Sequence, residues 1–199
     1  MGPLEQADIW LFRVLNLRLV QPGADDLMLF LTSPPLSFHI LILAASFMLV
    51  RRGRDGFIVL FLAILAVGIA DYTASGIMKP LFHRTRPCFA LEGVRLLVSQ
   101  SHSWSFASSH AANSAAVAAT VWIFFWKGEL VDRVFSIVMI LYGALVAFSR
   151  IYIGVHYPGD VLGGIAIGLC SAGLVYTLAA WVLKRFVHSA YLHENFARP

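Results

Sequence analysis

Charged residues and cysteines are both scarce in this sequence. Only 13% of its 199 residues are Asp, Glu, Lys or Arg, whereas 59% are hydrophobic; a soluble domain normally carries about twice that share of charge. A single core of this size cannot bury so much apolar surface, so we expect the remainder to face lipid. The composition excludes a disordered chain, a coiled coil and a nucleic-acid-binding module, and the net charge of +4 suits lipid headgroups.

The two cysteines provide neither a disulfide framework nor a metal site. Cys88 lies in a polar segment and Cys170 in an apolar run, so we expect both thiols to be free. The sequence contains no internal repeat and no low-complexity stretch. Residues 1–199 are therefore predicted to form a single membrane domain.

Apolar runs predict an all-α, polytopic membrane helix bundle. Five of them cover residues 27–50, 56–78, 108–126, 134–149 and 160–183. Each is long enough, or nearly so, to cross about 30 Å of hydrocarbon, where the backbone must satisfy its own hydrogen bonds. Segment 1–25 mixes apolar and charged side chains, which predicts an amphipathic helix at the membrane interface. We therefore expect about five transmembrane helices and one interfacial helix.

The distribution of basic residues predicts the orientation in the membrane. Once the three cations assigned below are set aside, most Lys and Arg fall on one side of the predicted bundle: Arg51, Arg52, Arg54, Lys127, Arg133, Lys184, Arg185 and Arg198. The positive-inside rule places that side in the cytoplasm. The polar segment 80–107 then lies outside, and a loop of this length in a compact protein is usually functional.

Three polar clusters fall on this outer side, in segments 79–87, 105–110 and 149–160. The predicted topology brings two histidines, three cations and one carboxylate to one end of the bundle. A set of this kind suits phosphoryl transfer, in which charge on the phosphate oxygens must be stabilised.

The cations and two serines are suited to hold a phosphate. Lys79, Arg86 and Arg150 can surround the group, and the fork of an arginine matches its oxygens in pairs. Ser108 and Ser109 lie where the third run begins. Backbone N–H groups at a helix start are unpaired and the helix dipole favours an anion there, so we expect these N–H groups to point at the phosphate.

The histidines are suited to the chemical steps. Asp160 follows His156 by four residues and could accept one ring N–H, which leaves the other nitrogen free to attack phosphorus. His110 could protonate the leaving oxygen and later activate water. No carboxylate cluster remains for a divalent metal, so we expect a reaction that uses neither metal nor cofactor.

The spacing of these residues resembles a known family signature. Its three parts are Lys79-x6-Arg86-Pro87, then Ser108-Ser109-His110, then Ser149-Arg150-x5-His156-x3-Asp160. The pattern is similar to that of the type 2 phosphatidate phosphatase superfamily, which includes membrane lipid phosphatases and soluble vanadium haloperoxidases. The resemblance implies that His156 is the nucleophile, Asp160 its orienting group and His110 the acid–base group. It further implies a phosphate cradle of Lys79, Arg86, Ser108, Ser109 and Arg150.

The second motif departs from the usual family pattern. The family usually has Pro-Ser-Gly-His, whereas this chain has Ala-Ser-Ser-His at 107–110. Loss of the proline is expected to be mild. Ser109 in place of glycine would matter if the backbone required a positive φ there.

The resemblance implies a lipid phosphatase at the outer face of a bacterial-type inner membrane, acting through a phosphohistidine. The short chain is most similar to the small undecaprenyl-diphosphate phosphatases of the superfamily, so undecaprenyl diphosphate is the first expected substrate. Phosphatidylglycerol phosphate, phosphatidate and the 1-phosphate of lipid A are alternatives.

A non-catalytic lipid-binding protein would be expected to lack a nucleophile or a cradle cation, and none is missing. A soluble haloperoxidase is excluded by the apolar runs. Lipids are the expected partners, and the oligomeric state is left open.

Two features of the apolar runs call for packing explanations. Asp71 lies inside the second run, where an ionisable group is costly. It could be a buried hydrogen-bond anchor between helices, a support for the site, or a residue lining a cavity. Small residues on one face of the fifth run favour close helix packing: Gly163, Gly164, Gly168 and Ala172.

The remaining polar and aromatic residues of the loop have two candidate roles each. His83, Arg84 and His102 are expected to be solvated loop residues unless they contact the substrate. Three aromatic residues are expected at the membrane interface or around the entrance for a lipid chain: Phe89, Trp104 and Phe106.

Overall fold

The computed structural model describes residues 2–196, except for the side chains of residue 22 and of segments 34–37 and 186–196. Arg198, one of the basic residues used above to predict orientation, lies outside the described residues. The described part consists of helices and connecting loops and contains no strand, which confirms the all-α class. Cys88 and Cys170 are free, as expected.

The N-terminal segment is helical, and it docks on the bundle. Helix α1 spans Pro3–Arg13 and continues as a π-helical turn over Val14–Arg18. Phe12 is buried, with its ring centroid 5.5 Å from that of Tyr157 in an edge-to-face contact. The amide of Asn16 donates to the carbonyls of Ile151 (3.3 Å) and Tyr152 (2.8 Å). The helix is therefore tied to the end of the bundle, a connection that its amphipathic pattern did not reveal.

The next helices form a long segment that turns back on itself. A 3₁₀ turn over Pro22–Ala24 leads into α2, Asp25–Thr32, and then into α3, Pro34–Asp71. Within α3, Gly53 has φ 54° and ψ −119°, a conformation that favours glycine. A side chain at Gly56 would collide with the Met48 carbonyl, eight residues earlier. A continuous helix would separate these positions by about 12 Å, so the chain reverses at Gly53.

Three helical stretches are long and apolar enough to cross a membrane. They are Phe38–Ala90, Leu130–Tyr152 and Pro158–Arg185. The first has 53 residues and contains the reversal at Gly53, so it includes residues 38–50 of the first predicted run and the whole of the second. The third predicted run corresponds to α6, Ser109–Phe125, whose 17 residues lie at the lower limit of the roughly 17 to 25 that a span uses. Three candidate spans are thus present in the described residues, where the sequence predicts five.

Helix α6 lies at the centre of the bundle, against α3, α7 (Leu130–Tyr152) and α8 (Pro158–Phe196). Side chains at Gly164 and Gly168 would collide with the carbonyls of Ser108 and Ala112 on α6. This close approach confirms the predicted packing role of the small residues. It also brings the first turns of α6 and α8 together, and the Ser108 N–H donates to the Asp160 carbonyl at 3.0 Å.

A cluster of ion pairs closes the other end of the bundle. Asp132 is fully buried and accepts from Arg51 Nε at 3.2 Å and from Arg52 Nη2 at 2.6 Å. Arg51 also pairs with Glu129. Arg51 and Arg52 therefore lie at the end of α6 opposite to Ser109.

Candidate active site

The three polar clusters meet at one end of the bundle, as predicted. The first follows a π-helical segment, Tyr72–Met78, and includes the short helices α4 (Lys79–Phe82) and α5 (Pro87–Ala90). The second leads into α6, and the third joins α7 to α8. The segment predicted as the outer loop is thus partly helical.

His156 is held in a defined protonation state by its neighbours. Its ring is 2% exposed, and Arg86 Nη1 lies 2.9 Å from Nε2. A guanidinium only donates hydrogen bonds, so Nε2 must accept and the ring proton resides on Nδ1. That nitrogen faces Asp160 Oδ2 at 3.6 Å and Ser105 Oγ at 3.4 Å. The structure therefore places Asp160 behind the ring and leaves a lone pair on Nε2. At 3.6 Å, however, Nδ1 and Oδ2 lie beyond hydrogen-bond distance, so the predicted bond between them is not formed.

Burial keeps the His156 ring neutral. Removal from water lowers the pKa of His156 to about 4, although the nearby Asp160 carboxylate opposes the shift. At neutral pH the Nε2 lone pair is consequently available without prior loss of a proton.

Asp160 is held on all sides. It is the third residue of α8, and its Oδ2 accepts the N–H of Tyr157 at 2.8 Å, as in a capping box. The same oxygen accepts the hydroxyl of Ser105, while Oδ1 accepts Arg84 Nη1 at 2.7 Å. Asp160 is fully buried, so each of these donors compensates for lost hydration.

Arg84 and Ser105 contact Asp160, and the sequence did not indicate these contacts. The expectation that Arg84 is a solvated loop residue is wrong, because it pairs with both Asp160 and Asp8, the latter at 2.6 Å. Asp8 lies 76 residues away along the chain. The position of Ser105 at the start of the second cluster was the only local signal.

Arg86 is a preorganised donor. It is 4% exposed. Its Nε donates to the Ser103 carbonyl at 2.9 Å, Nη2 to the Ser103 hydroxyl at 3.0 Å and Nη1 to the Val155 carbonyl at 3.0 Å. The guanidinium plane is therefore fixed beside His156 before any ligand arrives.

Lys79 is joined to the start of α6. Its Nζ donates to Ser109 Oγ at 2.9 Å, and Ser109 Oγ also lies 2.7 Å from Ser75 Oγ. Ser109 is the first residue of α6 in right-handed conformation, so this position requires no positive φ. The departure from the usual glycine is thus accommodated.

The expectation that the Ser108 N–H points at an anion is wrong, because that N–H donates to the Asp160 carbonyl. Ser108 Oγ is buried and, within the described residues, has no hydrogen-bond partner. The Ala112 N–H donates to the Ser108 carbonyl at 3.0 Å. Ser109 and His110 come before Ala112 in the first turn of α6, so their N–H groups have no acceptor within the helix, as at any helix start.

Two cavities meet at His110. The first, of about 670 Å³, also contains Arg150, which is 7% exposed and donates to Thr32. Arg150 Nε is buried without a partner among the described residues. Residues of α2, Ser33 and segment 98–100 line the rest of this cavity. The polar ones are Asp26, Ser33, Ser99 and Gln100, and the apolar ones are Leu29, Phe30 and Val98.

The second cavity, of about 330 Å³, is mainly apolar. It extends from His110 and Ser109 between α3, α6 and α7, with Phe38 and Val117 among its lining residues. Asp71 also lines this cavity and accepts a hydrogen bond from Asn113 at 3.0 Å. The cavity-lining interpretation of Asp71 is therefore confirmed. The hydrogen bond does join two helices, but Asp71 is exposed, so the expectation of a buried anchor is wrong.

Aromatic contacts order the loop beside the site. His83, in left-handed conformation at φ 47°, meets the Trp104 ring edge-on at 4.8 Å. Phe89 and His102 stack at 4.3 Å, and Phe82 lies 4.6 Å from Phe106. His83 and His102 are exposed as expected, yet both are held by ring contacts.

The charges of the site suit an anion. Lys79, Arg86 and Arg150 surround the histidines, while Asp160 is engaged by Arg84 and Ser105. Within the part of the chain that the structure describes, no group of three or more His, Cys, Asp or Glu side chains could hold a metal ion. A phosphate next to His156 would meet cations and helix-start N–H groups.

Comparisons with known proteins agree with this arrangement. The model of the PAP2 superfamily matches residues 55–184, which contain all three motifs. The chain is 28% identical to a lipid A 4′-phosphatase of Porphyromonas gingivalis, over 87% of this chain and 74% of that protein. It is 28% identical to the undecaprenyl-diphosphatase BcrC of Bacillus subtilis, over 82% of this chain and 78% of that protein.

A solved structure shares the fold. The crystal structure of a PAP2-type phosphatidylglycerolphosphate phosphatase from Bacillus subtilis superposes with a TM-score of 0.68 and 28% identity, covering 94% of this chain and 90% of that one. Several other relatives are longer, and the matched region spans 51% to 63% of their lengths.

Proposed function

The chain belongs to the PAP2 superfamily of phosphatases, and we propose that it is a membrane enzyme that removes a terminal phosphate from a lipid phosphate or diphosphate. The family resemblance drawn from the three motifs is thereby confirmed. The observation that carries the proposal is the His156 ring, which has Arg86 at Nε2 and Asp160 behind Nδ1.

The first half of the proposed reaction transfers the phosphoryl group to the enzyme. His156 Nε2 attacks phosphorus and the bond from phosphorus to the lipid oxygen breaks. His110, which takes up a proton when the anionic phosphate binds beside it, gives that proton to the lipid oxygen. Asp160 stabilises the positive charge that develops on the ring. Substrate oxygens replace Nε2 as acceptors for Arg86, while Lys79 and Arg150 balance their charge.

The second half releases phosphate. His110, now neutral, takes a proton from water, whose oxygen attacks phosphorus. The bond between phosphorus and His156 Nε2 breaks, so inorganic phosphate leaves and both histidines return to their initial states. Ser109 contributes its N–H, and Ser108 holds the α8 backbone at Asp160 through the bond described above.

Undecaprenyl diphosphate is the first substrate candidate. The match to the undecaprenyl-diphosphatase of Bacillus subtilis extends over most of both chains, and the apolar cavity at His110 suits the start of a lipid chain. Phosphatidylglycerol phosphate or phosphatidate is favoured by the shared fold with the phosphatidylglycerolphosphate phosphatase. A phosphate of lipid A is favoured by the relative from Porphyromonas gingivalis.

A panel assay tests the function and ranks these substrates. Purified protein in detergent is given undecaprenyl diphosphate, phosphatidylglycerol phosphate, phosphatidate or lipid A, and phosphate release yields kcat/KM for each. We expect undecaprenyl diphosphate to rank first and the matched His156→Ala protein to release phosphate about 10⁴-fold more slowly. Folded protein that binds these lipids without hydrolysing any of them would favour the non-catalytic alternative.

We propose five membrane crossings, with the site at the outer face of a bacterial-type inner membrane. The reversal at Gly53 divides the 53-residue stretch into two arms, and α6, α7 and α8 supply the other three crossings. The arginines at the opposite end support this orientation. Helix α1 exposes Leu4 and Trp10, which suits the interface.

Cysteine labelling tests the orientation. In a background with Cys88 and Cys170 replaced, we expect Ser101→Cys to react with an impermeant maleimide in intact cells. Lys127→Cys, at the other end of α6, should react only after lysis. The reverse pattern would place the site in the cytoplasm.

Chelator and vanadate responses test the metal-free chemistry. Because cations and N–H groups surround the site, we expect EDTA to leave the rate unchanged. Vanadate, which can adopt a five-coordinate geometry, should inhibit competitively by occupying the cradle. Loss of activity with EDTA and its recovery with Mg²⁺ would contradict this mechanism.

A further inference from the structure

Helix α1 contributes a carboxylate to the surroundings of the site. Asp8 Oδ2 accepts Arg84 Nη2 at 2.6 Å, and Oδ1 accepts the N–H of Gly159 at 2.7 Å. Gly159 directly precedes Asp160 in the first turn of α8. The N-terminal helix is thus bonded both to the arginine that pairs with Asp160 and to the backbone beside it.

Arg84 bridges two carboxylates. Its Nη1 donates to Asp160 Oδ1 at 2.7 Å while Nη2 donates to Asp8, and the guanidinium lies 4.0 Å from the centroid of the Tyr157 ring. Its backbone carbonyl accepts the Ser105 N–H at 2.7 Å, and Ser105 itself donates to Asp160. Both Nη atoms of Arg84 are therefore bonded to carboxylates of the protein.

We propose that Asp8 and Arg84 are positioning residues that hold Asp160 in place and, through it, orient the imidazole of His156. This inference rests on the proposed function, in which His156 is the nucleophile. Arg84 occupies Oδ1 of Asp160, so Oδ2 is the oxygen that faces His156 Nδ1.

The charges of Asp8 and Arg84 determine how strongly Asp160 attracts the Nδ1 proton of His156. The positive charge of Arg84 partly compensates the negative charge of Asp160. This favours the neutral form of the His156 ring before attack. Asp8 in turn balances Arg84, which leaves Asp160 able to support the ring as it becomes positive. The charged and titratable groups around His156 and Asp160 come from all the packed elements: Glu5, Asp8, Lys79, Arg84, Arg86, His110, Arg150 and Tyr157.

Arg84→Gln tests the proposal through the pH profile. We expect kcat to fall about 10- to 100-fold, because a displaced nucleophile is strongly penalised, while KM changes less than about threefold. The acidic limb of kcat/KM should move up by about 0.5 to 1 pH unit, since loss of the guanidinium raises the pKa of His156. Arg84→Lys retains the positive charge but not the two-pronged guanidinium. It should return the acidic limb of kcat/KM to its wild-type position while restoring only part of kcat. Unchanged kcat and an unmoved limb in Arg84→Gln would overturn the proposal.

A double-mutant cycle tests whether Asp8 acts through Arg84. Asp8→Asn should lower kcat by about three- to tenfold on its own and have little further effect in the Arg84→Gln background. Multiplicative losses in the double variant would separate Asp8 from Arg84 and contradict the chain of contacts.

A matched control separates positioning from general stability. Arg95 pairs with Asp25, close to Tyr152, and does not contact Asp160. We expect Arg95→Gln to lower thermal stability as Arg84→Gln does, without moving the acidic limb. A similar shift in Arg95→Gln would show that the acidic limb of kcat/KM moves whenever the N-terminal segment is loosened, and the shift would then give no support to positioning by Arg84.

Vanadate inhibition and phosphoenzyme trapping complete the test. Vanadate affinity should stay within about threefold in Arg84→Gln; a loss as large as that in Arg86→Ala would assign Arg84 to the phosphate cradle and overturn the proposal. If the wild type forms no phosphohistidine, the proposed function itself fails. If the phosphohistidine forms and Arg84→Gln behaves as the wild type, only the positioning inference fails.

Discussion

His156→Ala should lower kcat by about 10⁴-fold while the protein still inserts and purifies, because the variant lacks the group that forms the covalent intermediate. Phosphate release from the best lipid of the panel gives the rate. In the wild type, quenching during turnover should trap an acid-labile, alkali-stable phosphoryl-enzyme, and the variant should show none. His156→Gln is the matched control, since its amide can still offer an acceptor to Arg86. A variant that keeps more than about a tenth of the wild-type rate would remove His156 from this role.

The pH dependence of kcat/KM follows from the same ring. The neutral form is the one that attacks, and burial lowers the pKa of His156 to about 4. Protonation therefore removes the nucleophile only as the pH falls through that value, and the rate should then drop about tenfold per pH unit. Measurement of kcat/KM in the wild type across this range checks the sign and the position. An acidic limb near the ordinary histidine pKa of about 6.5 would contradict the buried, neutral ring.

Arg86→Ala should have the second largest effect, with kcat lowered about 10³-fold and KM raised much less. The guanidinium is fixed by Ser103 and Val155 before substrate binds, so its charge acts on the transition state without reorganisation. The variant also loses the donor that keeps Nε2 of His156 unprotonated. Steady-state kinetics on one lipid substrate separate the two parameters.

Two further variants interpret that result. Arg86→Lys retains the charge and loses the fork, so its kcat should lie between those of the alanine variant and the wild type. Arg133→Ala removes an exposed cation at the other end of the bundle and should leave both parameters unchanged. An increase in KM at constant kcat in Arg86→Ala would mean that the arginine binds ground state and transition state equally.

The motifs were recognisable because each depends on short spacings. Asp160 follows His156 by only four residues, so the chain between them is short enough for their side chains to be expected close together. Lys79, Arg86 and Arg150 precede or follow apolar runs, and the requirement that helices cross the membrane brought them to one end. The same pattern led to the wrong expectation for the Ser108 N–H, because the acceptor that occupies it, the Asp160 carbonyl, comes from another helix.

The contacts of Arg84 could not be predicted from the neighbouring sequence. A basic residue in a polar loop is usually solvated, and nothing in its neighbourhood indicates Asp8, which reaches it from the N-terminal helix. The buried amide of Asn16 is a similar case, since its acceptors lie at the end of α7. Their partners are determined by how α1 docks, which depends on packing of Phe12 rather than on any spacing in the chain.

The sequence by itself determined the all-α membrane class, the family and the grouping of the cations and histidines, because these follow from hydropathy, helical periodicity and motif spacing. Only the tertiary structure decided the tautomer of His156, the partners of Asp160, the position of α1 and the two cavities at His110. Each of these depends on contacts between residues far apart in the chain, and the close packing of α6 against α8 at Gly164 and Gly168 sets the distances between them.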